Sequence, residues 1–171
     1  MSSETQQQEC PMMATPQSEH EWLHKLIGEW TYEAECVMGP GEPAAKTSGS
    51  ESVRSIGGLW IVAEGSGEMP NGGAATTMMT LGYDPQQKRY LGTFVASMMT
   101  HLWVYDGEMN AAGTELTLKA EGPSMAGDGS MAQYKDVIEI TDKDRRVMRS
   151  YVLNEDGTWA QIMSADYRKK G

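Results

Sequence analysis

The chain has 171 residues, a length that fits one domain and allows a substantial core. Its formal net charge is −10 and its pI is about 4.7, which argues against binding to nucleic acid or to an anionic membrane surface. With two cysteines, no secretory leader in the first 17 residues and no apolar run of about 18 residues, we expect a cytoplasmic protein.

The chain begins with a polar segment and a short helix. Residues 1–17 are rich in Gln, Ser, Thr and Pro, which predicts a disordered tail ahead of a single domain over residues 18–171. Ser18 is the predicted N-cap, with Glu21 three residues later as its capping-box partner. Apolar residues at helical spacing follow, and Gly28 is the predicted helix stop.

Two histidines, His20 and His24, lie four residues apart on this helix. That spacing can share a metal ion, but no third ligand accompanies the pair. We therefore expect both histidines on an exposed face of the helix.

The rest of the chain alternates apolar and polar residues with a period of two, which indicates β-strands. The predicted strands are 30–38, 47–56, 58–68, 74–83, 89–98, 101–109, 114–122, 130–141, 146–153 and 158–170. Short Gly-, Pro-, Asn- and Asp-containing links make neighbouring strands antiparallel. Closing such a meander removes its two exposed edges, so we predict an all-β barrel of about ten strands, with two packed sheets as the alternative. A barrel of this width should contain a cavity.

The start of the first strand carries a family resemblance. A short helix followed by Gly28-Glu29-Trp30 resembles the calycins, which include lipocalins, fatty-acid-binding proteins and nitrobindin-like haem barrels. Over about residues 18–170, segments such as GEWTYEAEC and LTLKAEGP resemble more closely a bacterial calycin-like family described as a domain of unknown function. The resemblance implies that a basic residue of the last strand packs across Trp30. Arg168 is the matching position, and Lys169 is the second choice.

The chain also departs from the calycin patterns. Nitrobindin-like proteins carry a haem-ligating histidine late in the barrel, whereas the last histidine here is His101, in a middle strand. Fatty-acid carriers hold a carboxylate with an Arg and a Tyr near the last strand, and Tyr167 and Arg168 are only a loose echo of that pair. The resemblance therefore implies no cofactor, and haem remains an open alternative.

Several side chains are candidates for the lining of the predicted cavity. His101, Trp103 and Tyr105 share one strand face, and one member of each of two Met pairs should face inward. The cavity candidates are His101, Trp103, Tyr105, Met79, Met98, Arg54, Glu64 and Tyr32. Two alternatives stand beside these roles: His101 as a hydrogen-bonded wall residue, and Arg54 with Glu64 as an outward ion pair.

One further acid, Asp136, shares a strand face with Ile138 and Ile140. A carboxylate on an otherwise apolar face needs a partner, so we expect Asp136 to be buried against Arg149 or Arg54.

These observations favour a binding protein that holds a small, mostly apolar molecule in the barrel. One alternative is a homo-oligomeric interaction protein, such as a homodimer, with Trp60, Val62, Leu102 or Val104 in an outward patch. A weaker alternative is an enzyme using His101 with Glu64 or Asp136. The sequence contains no G-x-S-x-G, P-loop, G-x-G-x-x-G or complete calcium loop, so no catalytic residue and no metal site is predicted.

Overall fold

The computed structural model describes residues 13–37, 41–69 and 71–170, and it shows ten antiparallel strands closed into a barrel. Each strand pairs with the next one along the chain, and the last strand pairs with the first. The elements are α1 (Ser18–His24), β1 (Gly28–Cys36), β2 (Ala45–Ile56), β3 (Trp60–Glu68), β4 (Ala74–Asp84), β5 (Arg89–Ala96), β6 (Trp103–Met109), β7 (Glu115–Pro123), β8 (Met131–Asp142), β9 (Arg145–Leu153) and β10 (Trp159–Lys169). The predicted meander barrel with a short N-terminal helix is confirmed.

The predicted tail can be compared with the structure only in part. Residues 1–12 lie outside the described residues, as does Met38 at the end of the predicted first strand. Residues 13–17 are exposed and have no regular secondary structure. The boundary between tail and domain stays a prediction.

The tight connection between β2 and β3 shows how local chemistry sets the strand pairing. Gly57 and Gly58 have φ values of +63° and +75°, and the Leu59 N–H donates to the Ile56 carbonyl at 3.2 Å. Two consecutive left-handed residues form the hairpin turn whose twist matches that of the flanking strands, and glycine adopts this conformation without steric penalty.

Hydrogen bonds from the ring nitrogens of three α1 side chains attach the helix to one end of the barrel. With seven residues it is too short to be stable alone in water, so its contacts with the barrel hold it. Each bond joins a side-chain nitrogen of the helix to a backbone carbonyl in or beside a turn. The pairs are Trp22 Nε1 with Gly113 at 2.8 Å, His24 Nε2 with Gly58 at 3.0 Å, and His20 Nε2 with Tyr83 at 3.1 Å. The helix therefore covers this end of the barrel.

The ends of α1 differ from the sequence prediction. The N-cap is Gln17 rather than Ser18, and the Gln17 N–H donates to His20 Nδ1 at 2.9 Å. His20 is 3% exposed, so the expected exposed position for this residue is wrong. The C-cap is Lys25, while Gly28, with φ of +140°, is the first residue of β1.

The floor of the barrel is closed by a stacked cation. The Arg146 guanidinium lies 4.8 Å from the centre of the Trp30 ring and 3.8 Å from that of Tyr167, and it forms a buried ion pair with Glu51. The Trp30 indole N–H donates to the Leu26 carbonyl just after α1, at 2.9 Å. This cluster joins the helix, the first strand and the last two strands of the barrel.

The prediction that Arg168 packs across Trp30 is wrong. Trp30 lies opposite Lys169 in the β1–β10 ladder, whereas Arg168 lies opposite Thr31. Residues directly opposite in a ladder share a face, so the exposed Arg168 projects outward with Thr31. The second choice, Lys169, does reach the ring, at 5.1 Å, but the buried cation is Arg146 from β9.

The half of the barrel next to α1 is packed with large apolar side chains. Leu81 and Leu116 are fully buried there, and burial of a side chain of this size contributes about 1.5–3 kcal/mol. The packed residues are Trp22, Leu23, Leu26, Trp30, Val53, Ile61, Leu81, Tyr90, Leu116 and Ile138. The other half of the barrel is built differently.

The buried ion pair at the floor predicts unequal effects for two arginines of neighbouring strands. Arg146→Ala leaves the Glu51 carboxylate enclosed without a cation, so we expect it to lower the free energy of unfolding by about 3–5 kcal/mol. The matched control, Arg168→Ala, removes an exposed guanidinium and should change that free energy by less than about 0.5 kcal/mol. Urea denaturation followed by tryptophan fluorescence measures both, and equal losses would contradict the assignment.

Candidate binding cavity

The half of the barrel away from α1 encloses a cavity of about 800 Å³. It opens between the connections that join β1 to β2, β3 to β4, β5 to β6 and β7 to β8. Lining residues from these connections include Val37, Met69, Met98, Met99 and Met125. Met98 and Met125 are 45% and 62% exposed, as expected for side chains at a mouth.

Small inward side chains create the hollow. Ala34 and Ala165 lie opposite each other on β1 and β10, and Ala96, Ala120 and Gly65 line other walls. Closer to the floor, larger side chains take the inward positions of three of these strands: Trp30 on β1, Ile61 on β3 and Leu116 on β7. The space that those larger residues would fill is therefore open.

Six of the eight predicted cavity residues line this space. They are Tyr32, Met79, Met98, His101, Trp103 and Tyr105. Their role in binding stays a prediction. Of the paired methionines, Met79 faces inward at 8% exposure and Met78 faces outward at 40%, as the strand period requires.

The other two candidates, Arg54 and Glu64, lie outside the barrel. Their neighbours Val53 and Ala63 pair with each other and belong to the core, so Arg54 and Glu64 project to the opposite face. Arg54 Nη1 and Glu64 Oε1 are 2.5 Å apart, with side chains 58% and 46% exposed. The cavity assignment was wrong, and the outward ion pair is the arrangement found.

His101 lies in the connection before β6 rather than on a strand. Its Nε2 is 2.9 Å from the Glu121 carbonyl oxygen, and its ring packs edge-on against Trp103, with the centroids 4.8 Å apart. These contacts make it a wall residue at the mouth. The structure does not bring it together with the proposed acids, because Glu64 is on the outer face and Asp136 bonds elsewhere.

A polar cluster lies inside the apolar cavity and is centred on Asp136. The Tyr105 hydroxyl donates to one carboxylate oxygen, and the Ser150 hydroxyl donates to the other at 2.6 Å. Burial raises the pKa of Asp136, against the lowering effect of these two hydrogen bonds. Burial, and then the Asp136 charge, raises the pKa of Tyr105 well above its usual value, so this phenol stays protonated.

Arg149, the expected partner of Asp136, lies on the other face of β9. It binds Glu139 at 2.9 Å and Glu115 at 3.1 Å. Asp136 pairs with Ser150 in the β8–β9 ladder, so the adjacent Arg149 must face outward. Arg54, the other expected partner, is bound to Glu64 outside the barrel.

Two phenols, Tyr32 and Tyr167, face each other across the β1–β10 ladder, with ring centroids 5.2 Å apart. The Tyr32 ring occupies space over Gly49 and Gly67, where any Cβ would collide with it. Burial raises the pKa of both phenols, and neither hydroxyl has a hydrogen-bond partner among the described residues. Both can therefore donate to or accept from a molecule in the cavity.

Tyr167 and Ser150 also line the cavity, and the sequence pattern does not predict either of them. The period of two along β10 places Tyr167 on the face of Ala165, but that parity is informative only once the register with β1 is known. Ser150 lies between Arg149 and Tyr151, where the apolar pattern gives no signal.

The described part of the chain has neither a group of metal ligands nor a helix that could span a bilayer. In the described ranges, no three His, Cys, Asp or Glu side chains are placed together as metal ligands would be. No helix in that part of the chain has the length and apolar character needed to span a bilayer.

Comparisons with known proteins give a family and a fold. A family model described as "Protein of unknown function (DUF1579)" matches residues 15–169, and no curated protein matches the chain. The crystal structure of Rv2717c from M. tuberculosis aligns with a TM-score of 0.64 at 10% identity, covering 92% of this chain and 100% of that one. This likeness supports the barrel fold.

Two further solved structures are more distant. A de novo designed fluorescence-activating β-barrel has a TM-score of 0.47 at 13% identity, covering 86% of this chain and 95% of that one. EF1p2_mFAP2b bound to DFHBI has a TM-score of 0.49 at 9% identity, covering 90% of this chain and 100% of that one. These likenesses carry no functional argument, and none of the comparisons names the calycins, so that resemblance stays a prediction.

The enclosed carboxyl of Asp136 predicts how stability depends on pH. Because the folded state raises its pKa, Asp136 favours folding below its unfolded pKa and this contribution is lost as pH rises through the folded pKa. Asp136→Asn removes that loss while keeping an acceptor for Tyr105. The variant should therefore gain stability relative to the wild type as pH rises from about 4 towards 8.

Urea denaturation of both proteins across this range measures the difference. Asp166→Asn, at an exposed position of β10, is the matched control and should show no such trend. A stability difference for Asp136→Asn that does not change with pH would contradict the raised pKa.

Proposed function

This chain belongs to the DUF1579 family of proteins of unknown function, and we propose its function from the cavity. The barrel binds a small, mostly apolar molecule. The observation that carries the proposal is the hollow half of a closed barrel beside a packed half. A volume of about 800 Å³ falls within the range of sites for drug-sized ligands, about 300–1,000 Å³.

The chemistry of the wall supports an apolar ligand. Apart from the cluster around Asp136 and the two phenols, the inner surface is formed mainly by aliphatic, aromatic and thioether groups. Met79 and Met163 line the interior, and further methionines line the mouth. Thioether side chains are unbranched and polarisable, so they adapt to ligands of different shape.

The binding energy comes from replacing water in this space. At about 30 Å³ per molecule, the cavity has room for roughly 25 waters. Waters against thioether and aromatic walls make few hydrogen bonds with the protein, so an apolar molecule displaces them favourably.

The interaction alternative rests on apolar side chains outside the barrel, three of which are exposed. Among its four outward candidates, Val62 is 4% exposed, while Leu102 and Val104 are 54% and 60% exposed. The Trp60 ring lies over Gly82 and is 38% exposed. A homodimer and a cytoplasmic location stay predictions.

The proposal is tested with the neutral fluorescent probe N-phenyl-1-naphthylamine. We expect saturable binding with a blue-shifted emission, and a one-to-one complex by native mass spectrometry. Ala120→Trp places an indole inside the cavity and should weaken probe binding by about ten-fold or more, equivalent to at least about 1.4 kcal/mol.

The matched control is Ala111→Trp, in the exposed turn between β6 and β7 at the α1 end of the barrel. It adds the same indole outside the cavity and should leave probe affinity unchanged. Absence of saturable binding, or equal affinity in the two variants, would overturn the proposed function.

A further inference from the structure

We propose that the ligand carries a protonated amine at its polar end, held by the carboxylate of Asp136, so that the cavity selects lipophilic amines over fatty acids. This inference rests on the proposed function and adds the chemical class of the ligand. It follows from the charges that line the cavity, the hydrogen bonds of Asp136 and the aromatic rings around the cavity.

The charged residues that line the cavity are mostly acidic. Among the described lining residues the acids are Glu51, Glu68 and Asp136, and the bases are Lys135 and His101; the exposed Glu68 and His101 lie at the mouth. The Lys135 ammonium lies 4.4 Å from the centre of the Trp159 ring and 5.1 Å from the centre of the Tyr151 ring. Tyr151 lies opposite Lys135 in the β8–β9 ladder. Lys135 adjoins the inward Asp136, so this stack is on the outer face. Among the described residues, the interior therefore offers no free Lys or Arg side chain to an anionic ligand.

The acids differ in how their charge is balanced. Glu51 pairs with Arg146 at the floor, whereas the two described partners of Asp136 are the hydroxyls of Tyr105 and Ser150. Arg146 is four residues from Ser150 along β9, about 13 Å at the strand rise, and the inward Met148 lies between them. Among the described residues, Asp136 is therefore an enclosed carboxylate without an adjacent cation.

The hydrogen-bonding capacity of Asp136 is only half used. A carboxylate accepts about four hydrogen bonds, and Asp136 accepts two from the described residues. A ligand that approaches from the cavity meets the remaining lone pairs. An ammonium donates to them and also supplies the missing positive charge, which a hydroxyl or an ether does not.

Aromatic rings favour the same ligand. Tyr105, Tyr167, Tyr32 and Trp103 all line the cavity, and ring faces attract cations within about 6 Å. The hydroxyls of Tyr32 and Tyr167, which have no partner in the described ranges, can accept further N–H bonds. An alkyl or aryl tail would then extend towards the methionines of the mouth.

A fatty acid meets the opposite conditions. Its carboxylate would share an enclosed space with Asp136, and like charges in such a space force one group to take up a proton. The basic residue of the loose fatty-acid-carrier pair, Arg168, is exposed on the outside of the barrel and does not line the cavity. No Arg among the described lining residues replaces it.

The test is displacement of N-phenyl-1-naphthylamine by decylamine, 1-decanol and decanoate at neutral pH and physiological salt. The three compounds share one alkyl chain and differ in their polar end. We expect decylamine to displace the probe at a concentration about ten-fold or more below that of decanoate, as a charge-assisted hydrogen bond predicts.

Two matched variants locate the selectivity. Asp136→Asn should weaken decylamine binding by about ten-fold or more, a larger loss than any change in the affinities for the probe and for decanol. Asp166→Asn makes the same change of net charge on the exposed outer face and should leave all affinities unchanged. This control separates a specific contact from general attraction of a cation to an acidic protein.

The outcomes separate the two proposals. If the probe does not bind, the proposed function fails. If the probe binds and decanoate displaces it as well as decylamine does, or Asp136→Asn retains decylamine affinity, the amine inference is overturned and the proposed function stands. The ranking of the three compounds uses the unmodified protein, so it decides the question even if Asp136→Asn does not fold.

Discussion

The barrel depends on one buried charge, the guanidinium of Arg146 between the rings of Trp30 and Tyr167. Burying a cation costs several kcal/mol unless it is paired, and Glu51 from β2 supplies the pairing carboxylate. The four residues come from β1, β2, β9 and β10, which are the strands on either side of the closure. Closing the ladder between the first and last strands is therefore coupled to neutralising this charge.

Above the floor, the size of inward side chains decreases along individual strands. On β3 the inward positions run Ile61, Ala63, Gly65 and Gly67, from the α1 end towards the mouth. On β7 they run Leu116, Leu118, Ala120 and Gly122. The same alternation of inward and outward residues thus builds a close-packed core at one end and a hollow at the other. The cavity results from a gradient of side-chain volume within a regular barrel.

The sequence predicts the fold more completely than the site, for a physical reason. Strand existence and antiparallel order depend on local alternation and on turn residues such as Gly57 and Gly58, which are visible in one segment. Which face points inward depends on register, and a shift of one residue reverses every side chain. Arg54 and Glu64 were assigned to the wrong face in this way.

Other sequence predictions fail because the contacts concerned join residues that are far apart in the chain. The cation on Trp30 comes from Arg146 on β9 rather than from the last strand, and His20 is buried because its Nε2 reaches Tyr83, 63 residues away. The β8–β9 register, which separates Asp136 from Arg149, includes a shift between Ile140 and Asp142. Local pattern does not specify contacts of this kind, because each depends on how distant strands come to lie side by side.

The position of Asp136 is difficult to explain by stability alone. A carboxylate held by two hydroxyls inside a barrel loses more in desolvation than the hydrogen bonds return, which is why burial raises its pKa. An apolar residue at this inward position would continue the core of Ile138 and extend the packed half by one layer. The acid instead lies just beyond that layer, where the inward side chains become small. A charge at the boundary between the packed half and the cavity therefore fits the proposed ligand site better than a role in stabilising the fold.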